Sequence, residues 1–105
     1  MPKFCRLREA AERGRQAHRE FDEKVRAKAN QGWQSQPTIK LPDGRIVRPD
    51  AVSPGGRPVE LKPNTPSGRA RGARQLDVYE KALGKKGRVV YYNPGQKLLN
   101  GVNKR

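Results

Sequence analysis

Arg48-Pro49-Asp50-Ala51-Val52-Ser53-Pro54-Gly55-Gly56-Arg57-Pro58-Val59-Glu60-Leu61-Lys62 is the stretch whose reading decides the fold. It reads as two short strands joined by the turn Ser53-Pro54-Gly55-Gly56, because proline presets a turn φ and glycine supplies positive φ. Successive side chains of a strand alternate between its faces. Val59 and Leu61 are therefore expected in a core, with Glu60 and Lys62 on the opposite face. Asp50, at the far end of the partner strand, comes within reach of Glu60. Two carboxylates and an ammonium converging on one spot are costly by themselves. A divalent cation and a phosphate make sense of them, since a hard oxygen-seeking ion relieves the carboxylate repulsion.

Upstream, Thr38-Ile39-Lys40-Leu41 and Arg45-Ile46-Val47 alternate around Pro42-Asp43-Gly44, which is a hairpin signal. Its second strand is expected to run on to Asp50, giving three consecutive strands up to Lys62. Gln31 to Pro37 reads as a polar connector holding Trp33, the only tryptophan. Covering one end of a small core is the commoner use of such a ring, and stacking on a base the rarer one. From about Phe4 to Ala29, Leu7, Ala10, Ala11, Gly14, Ala17, Phe21, Val25 and Ala29 fall at helical steps, with Asn30 and Gly32 as the stop. His18 lies in the middle of that stripe and Asp22 at its edge. On the residues alone, His18 reads first as a packed core histidine. The other reading makes His18, or with less weight Asp22, a contact to a metal or phosphate.

Downstream, Pro63 to Gly68 breaks the strand and offers Thr65 or Ser67 as a helix cap. A second helix is expected over Arg69–Leu83, ended by Gly84, with Leu76, Tyr79 and Leu83 buried. Arg71, Gln75 and Tyr79 share one edge of it. Arg69, Arg71 and Arg74 crowd its first turns, where free backbone N–H groups also favour phosphate, although a solvated basic face explains any single arginine about as well. Gly87 to Tyr92 reads as a fourth strand reached by a crossover. Residues 93–105 form an extension in which Leu98, Leu99 and Val102 could make one apolar helical turn.

The chain has 105 residues, expected as one domain with its core at about 4–92, and only 32% are apolar. Its 24 Lys and Arg against 10 Asp and Glu give a net charge of +14. A surplus this large in so short a chain favours a polyanionic partner, most often nucleic acid, although an acidic protein can also hold it. The single cysteine, Cys5, excludes an intramolecular disulfide and a cysteine-based zinc site. No apolar run approaches the length that spans a membrane, and the first residues lack a signal peptide's apolar segment. An aqueous, reducing compartment is expected, with the chain made there or delivered as part of something larger.

Pro49-Asp50 followed by Glu60-Leu61-Lys62 resembles the PD-(D/E)xK signature of restriction-endonuclease-like nucleases. Gly14-Arg15-Gln16-Ala17-His18 and Gln75-Leu76-Asp77-Val78-Tyr79 look like the GxxxH and QxxxY motifs of the RecB-type branch of that superfamily. Each falls on the right kind of element, and together they cover roughly residues 14–92. The resemblance implies an α/β (α+β) fold with core order α-β-β-β-α-β, a mixed sheet flanked by helices. It also implies Mg²⁺, with Mn²⁺ as substitute, held by Asp50, Glu60, the Leu61 backbone carbonyl and, on the GxxxH motif, His18. Lys62, Gln75 and Tyr79 would then orient the nucleophile or the scissile phosphate, with Arg69, Arg71 and Arg74 along the backbone.

A compact, basic nuclease core without a specificity domain further resembles the C-terminal endonuclease-fold toxin modules of bacterial polymorphic toxins and secretion-system effectors. That implies action in the cytoplasm of a target bacterial cell, DNA as substrate ahead of RNA, little sequence preference, and an acidic immunity protein as partner. The alternatives are a tRNA-cleaving toxin, a repair or phage nuclease or Holliday-junction resolvase of the same fold, and a non-enzymatic nucleic-acid binder.

Overall fold

The computed structural model describes residues 3–94, with side chains from Arg8 onward. The expected C-terminal turn of Leu98, Leu99 and Val102 lies outside the described residues. The first helix, α1 (Lys3–Ala27), is followed by a 3₁₀ turn at Ala29–Gln31 that ends on Gly32 at φ 98°, where the stop was expected. Only part of the apolar stripe is used. Ala17 and Val25 are buried and Phe21 half-buried, whereas Ala10, Ala11 and Ala29 are exposed. The reason is length. A helix of 25 residues runs about 37 Å, and the longest strand has six residues, about 20 Å. The helix overhangs the sheet.

Six strands and a second helix follow: β1 (Gln34–Ser35), β2 (Ile39–Lys40), β3 (Ile46–Val47), β4 (Ala51–Val52), β5 (Pro58–Pro63), α2 (Pro66–Leu83) and β6 (Arg88–Tyr92). The main sheet has the order β1-β4-β5-β6, antiparallel except for the β5–β6 pair, which is parallel across the α2 crossover. Read along the chain, this sheet and its helices give α-β-β-β-α-β, the expected order. Its first strand is not the expected one. The Asp-Gly hairpin pairs only with itself, β2 with β3, and the main sheet starts instead with β1, inside what reads as a connector.

The strand expected to continue from Val47 to Asp50 is broken at Pro49, which is fully buried and has no N–H for a ladder. Beyond it the Asp50 N–H donates to the Glu60 carboxylate, and the Asp50 carbonyl accepts from Gln36 N–H at 3.1 Å. Both backbone groups leave the hairpin for the main sheet. The Ser53–Gly56 turn is as expected, with Gly56 N–H donating to the Ser53 carbonyl at 2.8 Å and Gly56 at φ 82°.

The helix α2 starts three residues before the expected Arg69. Thr65 is its cap, its Oγ1 accepting from Gly68 N–H at 3.0 Å, with Pro66 in the first turn. Gly84 closes it at φ 67°. Tyr79 is buried and Leu76 and Leu83 are half-buried. The core cluster of Val25, Ala51 and Val59, extended by Phe21, Trp33 and Val90, lies between α1 and one face of the sheet. Lys62 and Val89 lie against Gly72 of α2 on the other face. Among the described residues no helix is long and apolar enough to cross a membrane.

Candidate active site

Because helices cover both faces of β5, its alternation does not divide core from solvent. Val59, Glu60 and Leu61 are all buried, with Glu60 only 3% exposed. Glu60 shares the sheet face that α2 covers, and its carboxylate is held without being neutralised. Its Oε1 accepts from Asp50 N–H at 2.9 Å, and Asp50 Oδ2 in turn accepts from Leu61 N–H at 2.8 Å. Each carboxylate thus has one oxygen fixed by the backbone of the other's strand. The remaining oxygens are left for other chemistry. Glu60 Oε2 lies 3.6 Å from Lys62 Nζ, and no described residue donates to Asp50 Oδ1. Asp50, Glu60 and Lys62 come together as the spacing predicts.

Burial, and then the charge of Asp50, push the Glu60 carboxyl above its ordinary range, against the pull of the Asp50 N–H and of Lys62. Ionised Glu60 is therefore a strained charge in the protein by itself. Tyr79 is affected from the same direction: burial and the charges of Glu60 and Asp50 raise its phenol to about 12. Its hydroxyl stays protonated at neutral pH and is available as a donor. Gln75, one turn earlier on α2, has a buried Oε1 with no hydrogen-bond partner. A buried acceptor without a donor is a place where water or a ligand group is owed.

His18 reaches the site from α1. Its Nε2 lies 3.6 Å from Asp50 Oδ2, and its Nδ1 is 2.9 Å from the Gly14 carbonyl, which fixes the ring. Attraction to the Asp50 carboxylate raises its pKa, with burial opposing. Asp22 does not reach the site. Its carboxylate bonds Ser35 Oγ and, at 2.7 Å, Arg26 Nε, so it ties α1 to β1. Of the three arginines, Arg69 bonds Asn64 Oδ1 at 2.9 Å, and Arg69, Arg71 and Arg74 are all exposed along α2.

Tyr92 is a member of this constellation that sequence reading missed. Its ring stands edge-on to His18, with centroids 6.3 Å apart at 77°. A Cβ on Gly14 would meet its hydroxyl at 3.0 Å. The glycine of the GxxxH stretch is therefore the space Tyr92 occupies beside the helix backbone. No periodicity marks it, because the contact is made between the two ends of the described chain.

The donor set suits Mg²⁺. Among the described residues no three His, Cys, Asp or Glu side chains gather as a metal cluster, so His18 does not complete a three-side-chain cage of the kind zinc uses. Mg²⁺ is commonly held by one or two carboxylates with several waters. Asp50 Oδ1 and Glu60 Oε2 are two such oxygens, and the Leu61 peptide beside them is tied to Asp50 through its own N–H.

Comparison with known proteins fits this geometry. A family model described as restriction endonuclease fold toxin 9 matches residues 7–99, from within α1 to beyond β6. No match was found among curated proteins or solved structures.

Proposed function

The chain belongs to the restriction endonuclease fold toxin 9 family, and from that premise we propose that it is a metal-dependent endonuclease that cleaves DNA with little sequence preference. The observation that carries the reading is the reciprocal clasp of Asp50 and Glu60, two carboxylates fixed by each other's strand with Lys62 beside them. A structural ion pair needs only Glu60 and Lys62 and is worth little. It leaves Asp50 and the unpartnered Gln75 without a purpose.

When bound at Asp50 and Glu60, Mg²⁺ supplies charge stabilisation of the phosphodiester and lowers the pKa of water. Lys62 places a positive charge next to Glu60, where it orients the attacking water and offsets the charge gathering on the phosphate. Gln75 and Tyr79 present an amide and a protonated hydroxyl from α2 for the nucleophile or the scissile phosphate. His18 holds Asp50 from the side away from Leu61. Arg69, Arg71 and Arg74 follow the flanking backbone. Nothing among these groups reads base edges, which supports relaxed sequence preference.

The net charge of +14 supports two further parts of the reading. One is delivery of the chain into a target bacterial cell as part of a larger toxin, to act on nucleic acid in the cytoplasm. The other is an acidic immunity protein in the producing cell that covers the Asp50–Glu60 cleft. Supercoiled plasmid, linear DNA and transfer RNA, each incubated with Mg²⁺ and with chelator, test the activity. Nicking and linearisation of the plasmid only with Mg²⁺ is the expected result. Cleavage of transfer RNA alone would move the substrate to RNA, and no cleavage of any of the three would overturn the nuclease reading.

Metal should also stabilise the fold. Mg²⁺ at about 100 times its dissociation constant adds about 2.7 kcal/mol, which for a domain of this size raises Tm by roughly 10–20 °C. Differential scanning fluorimetry in Mg²⁺ against EDTA checks this, and the shift should vanish in Asp50→Asn.

A further inference from the structure

A second cavity, of about 200 Å³, opens where β5 and β6 begin, towards the far end of the sheet from Lys62. Its apolar wall is Trp33, Pro58 and Val59, and its charged lining is Arg57, Lys86 and Arg88. Trp33 packs on one side against the Val25, Ala51 and Val59 core, and Lys28 Nζ lies 6.0 Å from its ring centroid. No acidic side chain lines the cavity. Glu80 lies near, but its carboxylate is taken by the Gly87 N–H at 2.7 Å. The cationic side of the cavity is anchored. Arg57 Nη1 donates to the Lys86 carbonyl at 3.2 Å, and Gly87 is pressed so close to Pro58 that a Cβ would lie 2.0 Å from its carbonyl oxygen.

Gathering cations around an apolar wall is unfavourable through self-repulsion unless an anion with a flat apolar part completes it. The larger cavity, between the β2–β3 hairpin and α2, shows the contrast: there Arg45 and Lys81 are matched by Asp43 and Asp77. An aromatic ring beside guanidinium forks is what single-stranded nucleic acid asks of a protein, a stacking surface for the base and donors for the phosphate. Val59 and Lys62 are three residues apart on β5, about 10 Å, which is about three nucleotide steps along one strand.

We propose that this cavity is a second nucleic-acid contact, taking one unpaired nucleotide of the substrate strand with its base against Trp33 and its phosphate on Arg57 and Arg88. The inference rests on the nuclease reading above and extends it to how the strand is held away from the cleaved bond. It gives a strongly basic chain a defined footprint beyond the α2 arginines.

Trp33, as the only tryptophan, is its own reporter. The full chain in EDTA is titrated with a fluorescein-labelled thymidine octanucleotide for anisotropy, and with the unlabelled octanucleotide for Trp33 emission. The expected result is saturable quenching of Trp33 that tracks anisotropy. Arg57→Gln/Arg88→Gln, shown to be folded by circular dichroism, should bind roughly tenfold more weakly. Its slope of log K against log salt should be shallower by about 1.4, or about 0.7 for each lost phosphate contact. If that variant does not fold, shielding of wild-type Trp33 from acrylamide by the bound octanucleotide decides instead. Binding by anisotropy with Trp33 emission and acrylamide access unmoved would overturn the pocket while leaving the nuclease intact. Quenching by polyglutamate and not by the octanucleotide would overturn it in favour of an acidic protein partner. Absence of any nucleic-acid binding would overturn it together with the nuclease reading.

Discussion

Glu60→Gln is expected to lower Mg²⁺-dependent cleavage by roughly 10³-fold or more while leaving the metal-free protein at least as stable as wild type. The two halves of that expectation have separate causes. A glutamine amide can keep the hydrogen bond from Asp50 N–H, since it retains a carbonyl oxygen. It removes the negative charge that, with Asp50, would hold the cation. It also removes a charge that the fold holds at a cost, because burial and Asp50 raise the Glu60 pKa. A carboxyl whose folded pKa lies above its unfolded value binds its proton more tightly when folded. Its contribution to stability is fully present below the ordinary pKa of 4.5 and is lost as pH rises through the raised value. The Tm of Glu60→Gln minus that of wild type, in EDTA, should therefore grow as pH rises from 4 towards neutrality. Exposed carboxylates titrate alike in both proteins and cancel. A clear fall in Tm at neutral pH would mean that Glu60 is held for stability.

Lys62→Met is expected to cost about 10²- to 10³-fold in kcat while Mg²⁺ still raises Tm. The Lys62 stem packs against Gly72, with Cγ 3.2 Å from the position of a Cβ there, and only the ammonium reaches towards Glu60. Methionine keeps that stem volume and leaves both carboxylates in place. Loss of rate with metal binding intact would separate the positioning of water and phosphate from the holding of the cation. Loss of both would mean that Lys62 acts by fixing Glu60.

What the sequence made legible was local. The Ser-Pro-Gly-Gly turn, the strand spacing from Asp50 to Glu60 and Lys62, the Thr65 cap and the parallel return through β6 are each set by a few neighbouring residues. The motifs then placed His18, Gln75 and Tyr79 on the two helices that carry them. What stayed hidden depends on partners far along the chain. Gln34 and Ser35 carry no β pattern and become a strand only because β4 offers them a ladder. Glu60 was expected on an open face, and its burial depends on how closely α2 approaches at Gly72, which no strand pattern records. Asp22 sat as near the helix stripe as a ligand would, but Ser35 of that unrecognised strand takes it. Tyr92 was read only as part of a strand, and its place beside Gly14 and His18 depends on the register of β6 against β5.

The most direct test of the account is a crystal of the chain soaked in Mn²⁺, with the anomalous signal collected at the manganese edge. The account predicts one strong peak in contact with Asp50 Oδ1, Glu60 Oε2 and the Leu61 carbonyl, absent from crystals of Asp50→Asn. A peak elsewhere, or none while Asp50 and Glu60 keep their clasp, would contradict it.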